Sequence, residues 1–458
     1  MNAAPGHDPL PTLLELLRVL GFQAGYNTSI VLLGVSLLGI AAGVVGTFAM
    51  LRKRALMSDT LSHASLPGIA MAFLAAVALG ASGRSLWLLL AGAAVSGILG
   101  VLTVQFIVRN TRLPADAAMG AVLSVFFGIG FVLLSYIQTL DTGDQGGVAK
   151  FIYGQTATMT ALEATSIAVV ALLAVVAAAA LFKEFRLVCF DPEFADAQGW
   201  SVSLIDLLMM ALVVAVTVIG LRAVGLILII ALVIIPPAAA RFWTERLGTM
   251  TLIAALFGGL SGYLGAAASA LLPRFPAGAV IVLVAGALFL LSLLLAPSRG
   301  VLAASLRQLR LRLEVASQHL LRAVHESVER GEVAFDAPLD LEGLRSLRSW
   351  PRPWLLLIAR LLAWRGLLRL TPEGALLTAG GRAHALRITR NHRLWEQFLV
   401  SYAELAPSHV DHSADLVEHV LSPEMVAELE RELAAVGRLP RRLGGVPASV
   451  HPLAADAV

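Results

Sequence analysis

The chain has 458 residues, of which 58% are hydrophobic and 14% charged, with a formal net charge of +3. An average soluble domain is roughly a quarter charged, so this balance excludes an ordinary soluble protein and points to the membrane. The small net charge argues for no nucleic-acid partner, and a single cysteine, Cys189, excludes an internal disulfide or a Cys-rich zinc cluster.

In chain order, residues 1–28 form an N-terminal segment without the basic n-region and cleavage site of a signal peptide, and Leu13 to Leu20 predict a short amphipathic helix. A bilayer core of about 30 Å needs about 20 apolar residues per helix. Such stretches run over 29–51, 57–80, 86–108, 115–138, 161–182, 203–220, 223–240, 250–272 and 277–296. Little more than Arg222 separates the sixth from the seventh, so the pattern predicts eight or nine spans within 29–298. Basic residues follow every odd stretch: Arg52, Lys53 and Arg54; Arg109 and Arg112; Lys183 and Arg186; Arg241 and Arg246; Arg299, Arg307, Arg310 and Arg312. Those ends are predicted to be cytoplasmic. Residues 1–300 hold 15 Lys+Arg and 13 Asp+Glu, whereas 301–458 hold 19 and 18, so a soluble, cytoplasmic part is expected after a linker at 299–314.

Asp59 and His63 stand four residues apart, on one face of a helix. A carboxylate with an imidazole suits a borderline divalent cation, and ionisable groups inside a span usually mark a pathway. The spacing fits equally an Asp59 paired with the Arg52 to Arg54 cluster and a His63 that makes a packing hydrogen bond. Pro67 and Gly68, one turn on, let the helix bend and free a carbonyl. Asp116, just after Pro114, reads as a helix cap; Glu163 and Asp206 read as solvated residues near span ends. Asp191 to Gly199 is short, acidic and helix-compatible, and ends on a glycine suited to a C-cap. No GxxxxGK[ST] phosphate-binding motif occurs in the sequence.

MLRKRALMSDTLSHASLPGIAMAFL (50–74) resembles the signature of the zinc/manganese/iron permease family of ABC importers. The likeness continues through RLPADAAMGAVLSVFFGIGFVLLS (112–135), FDPEFADAQGW (190–200), LRAVGLILIIALVIIPPAAARF (221–242) and PAGAVIVLVAGALFLLSLL (276–294). The resemblance implies a transport subunit rather than an enzyme, with the divalent ion (manganese, zinc or iron) as substrate and no organic cofactor. It favours Asp59 and His63 as the metal pathway, and makes Asp191, Pro192, Glu193, Phe194, Ala195 and Gly199 the coupling helix that seats in an ABC ATPase subunit. Further implied partners are a periplasmic or lipoprotein metal-binding protein, a second permease chain, identical or paralogous, and the lipid of a bacterial inner membrane.

Residues 315–435 resemble the metal-dependent repressor family typified by the diphtheria toxin repressor. HLLRAVHESVERG (319–331) looks like its first helix, and 354–388 like a helix, wing and return helix. NHRLWEQFLVSYAEL (391–405) and HVDHSADLVEHVLSPEM (409–425) look like its metal-binding and dimerisation helices. Asp411, Asp415, Glu418 and His419 fall on one helical stripe, and His392 and Glu396 form a second i, i+4 pair. Spacing alone also fits a solvated acidic face; the resemblance implies regulatory metal ligands there and at His319. The helix from Trp354, WLLLIARLL, is apolar where base readout needs polar side chains, so DNA is not an expected partner. Residues 436–458 are expected to be disordered.

The fold class expected is all-α: a polytopic membrane bundle of eight or nine transmembrane helices plus a cytoplasmic, mainly helical, winged-helix-like and metal-binding/dimerisation domain. The expected function is the permease subunit of an ATP-driven importer of divalent transition metals, its tail sensing metal or regulating transport. The alternative is a membrane-tethered, metal-responsive transcriptional regulator.

Overall fold

The structure, a computed structural model, describes residues 13–54, 56–80, 85–140, 156, 159–271, 275–329, 331, 334, 337–338, 350–402, 422–435, 442–443 and 446–447. It divides into two compact units, Met1–Ala304 and Ser305–Val458.

In the first unit the helices are, in order, α1 (Leu13–Leu20), α2 (Tyr26–Leu51), α3 (Met57–Ala78), α4 (Leu86–Asn110), α5 (Ala115–Gln138), α6 (Ala161–Ala180), α7 (Phe182–Phe190), α8 (Pro192–Ala197), α9 (Val202–Val224), α10 (Leu226–Arg241), α11 (Leu247–Leu271) and α12 (Ala277–Leu295). Among the described residues eight are long and apolar enough to cross a membrane: α2 to α6, α9, α11 and α12. The expected seventh span is α10, whose 16 residues give about 24 Å of helix, short of the hydrocarbon thickness. Gly225 (φ 81°) separates it from α9, a left-handed conformation that a side chain would disfavour.

Small residues let α2 run through the centre of this unit. A Cβ on Gly39 would lie 2.1 Å from the carbonyl oxygen of Gly258 in α11, and one on Gly43 would lie 2.3 Å from that of Ala254. The pairing runs antiparallel and brings the two backbones into direct contact, the way apolar helices associate where lipid supplies no hydrophobic drive. The same device seats α3 on α4, where a Cβ on Gly68 would meet the Gly92 carbonyl at 2.0 Å. Ser96 of α4 also donates to the carbonyl of Ala64 at 2.6 Å. Glu163 is not merely solvated: it closes a capping box with Thr160 at the start of α6. Asp116 sits in the first turn of α5, behind the N-cap Pro114, and serves the helix dipole rather than acting as the cap.

The second unit begins within α13 (Val301–Glu329), a single continuous helix, so the linker expected at 299–314 and the repressor-like first helix are one element. Then come α14 (Arg352–Trp364), a hairpin of β1 (Leu368–Thr371) with β2 (Gly374–Leu377) in register Leu368↔Leu377, α15 (Ala379–Tyr402) and α16 (Pro423–Ala435). This is the expected helix, wing and return helix. Its core joins Leu320, Leu321 and Val324 of α13 to Leu355, Ile358 and Leu362 of α14, Leu377 of β2 and Ile388 of α15. Within the expected disordered end, β3 (Arg442–Leu443) pairs antiparallel with β4 (Val446–Pro447).

Candidate functional site

Asp59 lies in the first turn of α3, where a carboxylate is favoured by the helix dipole, and His63 is one turn further. His63 Nε2 stands 3.5 Å from Asp59 Oδ1, with side chains 20% and 35% exposed. The imidazole packs edge-on against Phe127 of α5, ring centroids 5.0 Å apart, and its Nδ1 is buried with no hydrogen-bond partner. Such an orphaned group costs about 1–3 kcal/mol. Pro67 has no N–H to return to the His63 carbonyl, so one turn of α3 offers a carboxylate, an imidazole and a carbonyl that lacks its usual donor. Sequence spacing found the pair; Phe127 was missed because no local pattern links residues on different helices.

The Arg52 to Arg54 cluster does not pair with Asp59. Arg52 Nη2 and Arg54 Nη2 both reach Asp206 Oδ2 of α9, at 2.8 and 3.3 Å. Asp206 is therefore buried, 6% exposed, and not the solvated residue expected. Arg52 Nη1 also donates to the Val188 carbonyl of α7 at 3.0 Å. Burial lowers the pKa of Arg54, Asp206 acting against that and Arg52 with it. Beside them, burial raises the Cys189 thiol to about 11, with Arg52 lowering and Asp206 raising it. Sequence reasoning named the Arg52 to Arg54 run and Asp206 but did not join them, because 154 positions separate Arg52 from Asp206 in the chain.

The turn between α2 and α3 is a full C-cap motif. Arg54 N–H reaches the Ala49 carbonyl at 2.8 Å, and Lys53 N–H the Met50 carbonyl at 3.0 Å. Lys53 occupies the left-handed position (φ 56°) usually held by glycine, at a cost of about 1–3 kcal/mol that the surroundings must hold.

The segment expected to couple forms α8. Asp191 caps it, its Oδ1 accepting from Phe194 N–H at 2.9 Å, and Pro192 takes the first helical position. Gly199 (φ 84°) ends it, with Trp200 N–H on the Ala195 carbonyl at 3.0 Å. Ala195 is buried and Glu193 exposed, while Phe190, Phe194 and Trp200 are 61%, 50% and 45% exposed. Three large aromatics are thus exposed around one short acidic helix.

In the second unit His392 Nε2 stands 3.2 Å from Glu396 Oε1, both side chains 3% exposed. Arg322 Nη1 lies 2.6 Å from His392 Nδ1, and its Nε lies 3.3 Å from Glu326. Both imidazole nitrogens are thus engaged, and a guanidinium already supplies the positive charge against the ring. As arranged, this pair does not fit a resident metal ion. Among the described residues no three His, Cys, Asp or Glu are gathered as a metal site. The expected set is therefore not assembled from His319, His392 and Glu396, while Asp411, Asp415, Glu418 and His419 lie outside the described residues.

Comparison with known proteins agrees with this architecture. The model of the ABC 3 transport family matches residues 26–296, and that of the iron dependent repressor, metal binding and dimerisation domain matches residues 378–442. The "Manganese transport system membrane protein MntC" of Bacillus subtilis is 35% identical over 418 residues, 91% of this chain and 94% of that protein. The "Zinc transport system membrane protein TroC" of Treponema pallidum is 42% identical over 279 residues, 60% of this chain and 91% of that protein. Among solved structures, PsaBC from Streptococcus pneumoniae in complex with Fab gives a TM-score of 0.54 at 28% identity, covering 63% of this chain and 98% of that one. The chain belongs to the ABC 3 transport family, as a multi-pass membrane permease subunit with a repressor-like domain fused behind it.

Proposed function

We propose that this permease carries a divalent transition metal inward along a pathway that passes Asp59 and His63 of α3. The observation that carries the reading is the 3.5 Å acid–imidazole pair, partly accessible inside a spanning helix, with a buried ring nitrogen lacking a partner. Relatives named for manganese and zinc transport support one of these ions as the substrate. A carboxylate with an imidazole suits both, and two or three donors hold an ion loosely enough to let it go. An ABC ATPase subunit docks on α8 through Phe190, Phe194 and Trp200, and an extracytoplasmic binding protein delivers the ion. Two permease chains enclose the path; the basic residues within 52–54, 183–186 and 241–246 support a cytoplasmic side for those ends and for the tail. There the repressor-like domain regulates transport. Its α14 turns Leu355, Ile358 and Leu362 into its own core and leaves Leu357 and Trp364 exposed, which favours docking over base readout.

The test is ATP-driven uptake of Mn²⁺ and Zn²⁺ by the complex in proteoliposomes. Asp59→Ala and His63→Ala should each lower uptake by at least the roughly 10–100-fold that loss of an outer-shell partner alone costs a metal site. The assembled complex should be retained. Undiminished uptake in both variants sinks the pathway.

A further inference from the structure

The Arg52–Arg54–Asp206 cluster links the start of α3 to α7 and α9, the two helices that flank α8. Arg52 ends α2, and the Arg54 carbonyl accepts from Met57 N–H at 2.9 Å, at the first residue of α3. Asp59 follows two residues later on the same helix. On the other side Arg52 holds the Val188 carbonyl at 3.0 Å, three residues before the Asp191 cap of α8. Asp206 sits in the first turns of α9, the helix that leaves α8 through Gly199 and Ser201. One carboxylate thus joins the entry to α3 with both flanks of the docking helix.

The cluster is also built to rearrange. A single oxygen, Asp206 Oδ2, takes both guanidinium groups, while Asp206 Oδ1, Arg52 Nε and Arg54 Nη1 are buried without hydrogen-bond partners. Two cations face one anion, so the excess charge can re-pair when the flanks shift. Lys53, between the two arginines, holds a left-handed turn (φ 56°) that is not its preferred conformation.

We propose that Arg52, Arg54 and Asp206 are positioning residues that transmit movement of the ATPase-docking helix α8 to the metal-bearing start of α3. This rests on the reading of α8 and α3 given above. As α7 and α8 shift, the two guanidinium groups re-pair around Asp206, and through the Lys53 turn this resets the angle at which Asp59 and His63 enter the pathway.

The experiment compares metal moved per ATP hydrolysed in the reconstituted full-length complex. Asp206→Asn alone leaves two buried cations and risks misfolding, so the decisive variant removes all three charges: Arg52→Met, Arg54→Met and Asp206→Leu. The proposal expects this variant to bind the ATPase subunit and hydrolyse ATP, with metal moved per ATP lowered at least about tenfold, the size of an ordinary coupling energy. Conservative Asp206→Glu should retain most of the ratio. An unchanged ratio in the neutral variant overturns the proposal, as does loss of ATPase binding, which would make the cluster a mere brace for α8. Phe194→Ser separates this from failure of the underlying reading. If it keeps the ATPase bound and uptake intact, α8 is not the docking helix; if it releases the ATPase while the neutral variant stays coupled, only the clamp fails.

Discussion

Single ionisable residues in the repressor-like domain set its response to acid. His325 is buried in α13, and that burial lowers its pKa from the ordinary value of 6.5, Glu329 opposing and Arg393 adding to the shift. The unfolded chain then takes up the proton first as pH falls, so this stability is present above 6.5 and is lost below it. For Glu329 burial acts upward, but the hydrogen bond and charge of Arg393, with His325, lower its pKa below the ordinary 4.5. Its contribution is present above 4.5 and is lost as pH falls through the lowered value. Protection of the α13 amides against hydrogen exchange, corrected for the intrinsic rate at each pH, should therefore fall in two stages on acidification. His325→Gln should remove the first stage only; a profile unchanged by that substitution refutes the assignment.

At the level of elements, the contact between α2 and α11 holds the unit that carries the site. A Cβ on Gly258 would lie 2.0 Å from the Gly39 carbonyl oxygen, so no rotamer can relieve it and the helices must part. Gly258→Ala should cost about 1–3 kcal/mol, read as a lowered midpoint in detergent thermal unfolding. Gly286 on α12, with open space around it, is the control and should tolerate alanine. Length and hydropathy placed the spans within a few residues, since crossing lipid demands long apolar runs. They could not tell that α10 stops at 16 residues, because its apolar sequence continues that of α9 and only Gly225 marks the break. Capping was partly legible: Gly199 ends α8 as its sequence suggests, whereas Glu163 acts through Thr160, a reciprocal bond that span-end reasoning overlooked.

Across the whole molecule, the unit Met1–Ala304 has a hydrophobic core drawn from α2 through α12, and the second unit has a separate one around Leu320 and Leu362. A chain ending at Ala304 should therefore still fold, assemble with the ATPase subunit and import metal. It should also keep importing as internal metal accumulates, where the full chain slows. Uptake followed against rising internal metal checks this; a shut-off identical in both chains removes the regulatory role.

The sequence by itself determined the membrane bundle, the fused helical tail, the helix face shared by Asp59 and His63, and the bounds of α8. Each of these follows from a local period or from the cost of polar groups in lipid. Only the tertiary structure decided which charge meets which. Arg52 finds Asp206 across 154 positions, His63 meets Phe127 of another helix, and Arg322 closes on His392 where a metal was expected. The physical reason is that a buried charge must find its partner wherever packing brings one within a few ångströms. Spacing along a chain says nothing about distances between helices.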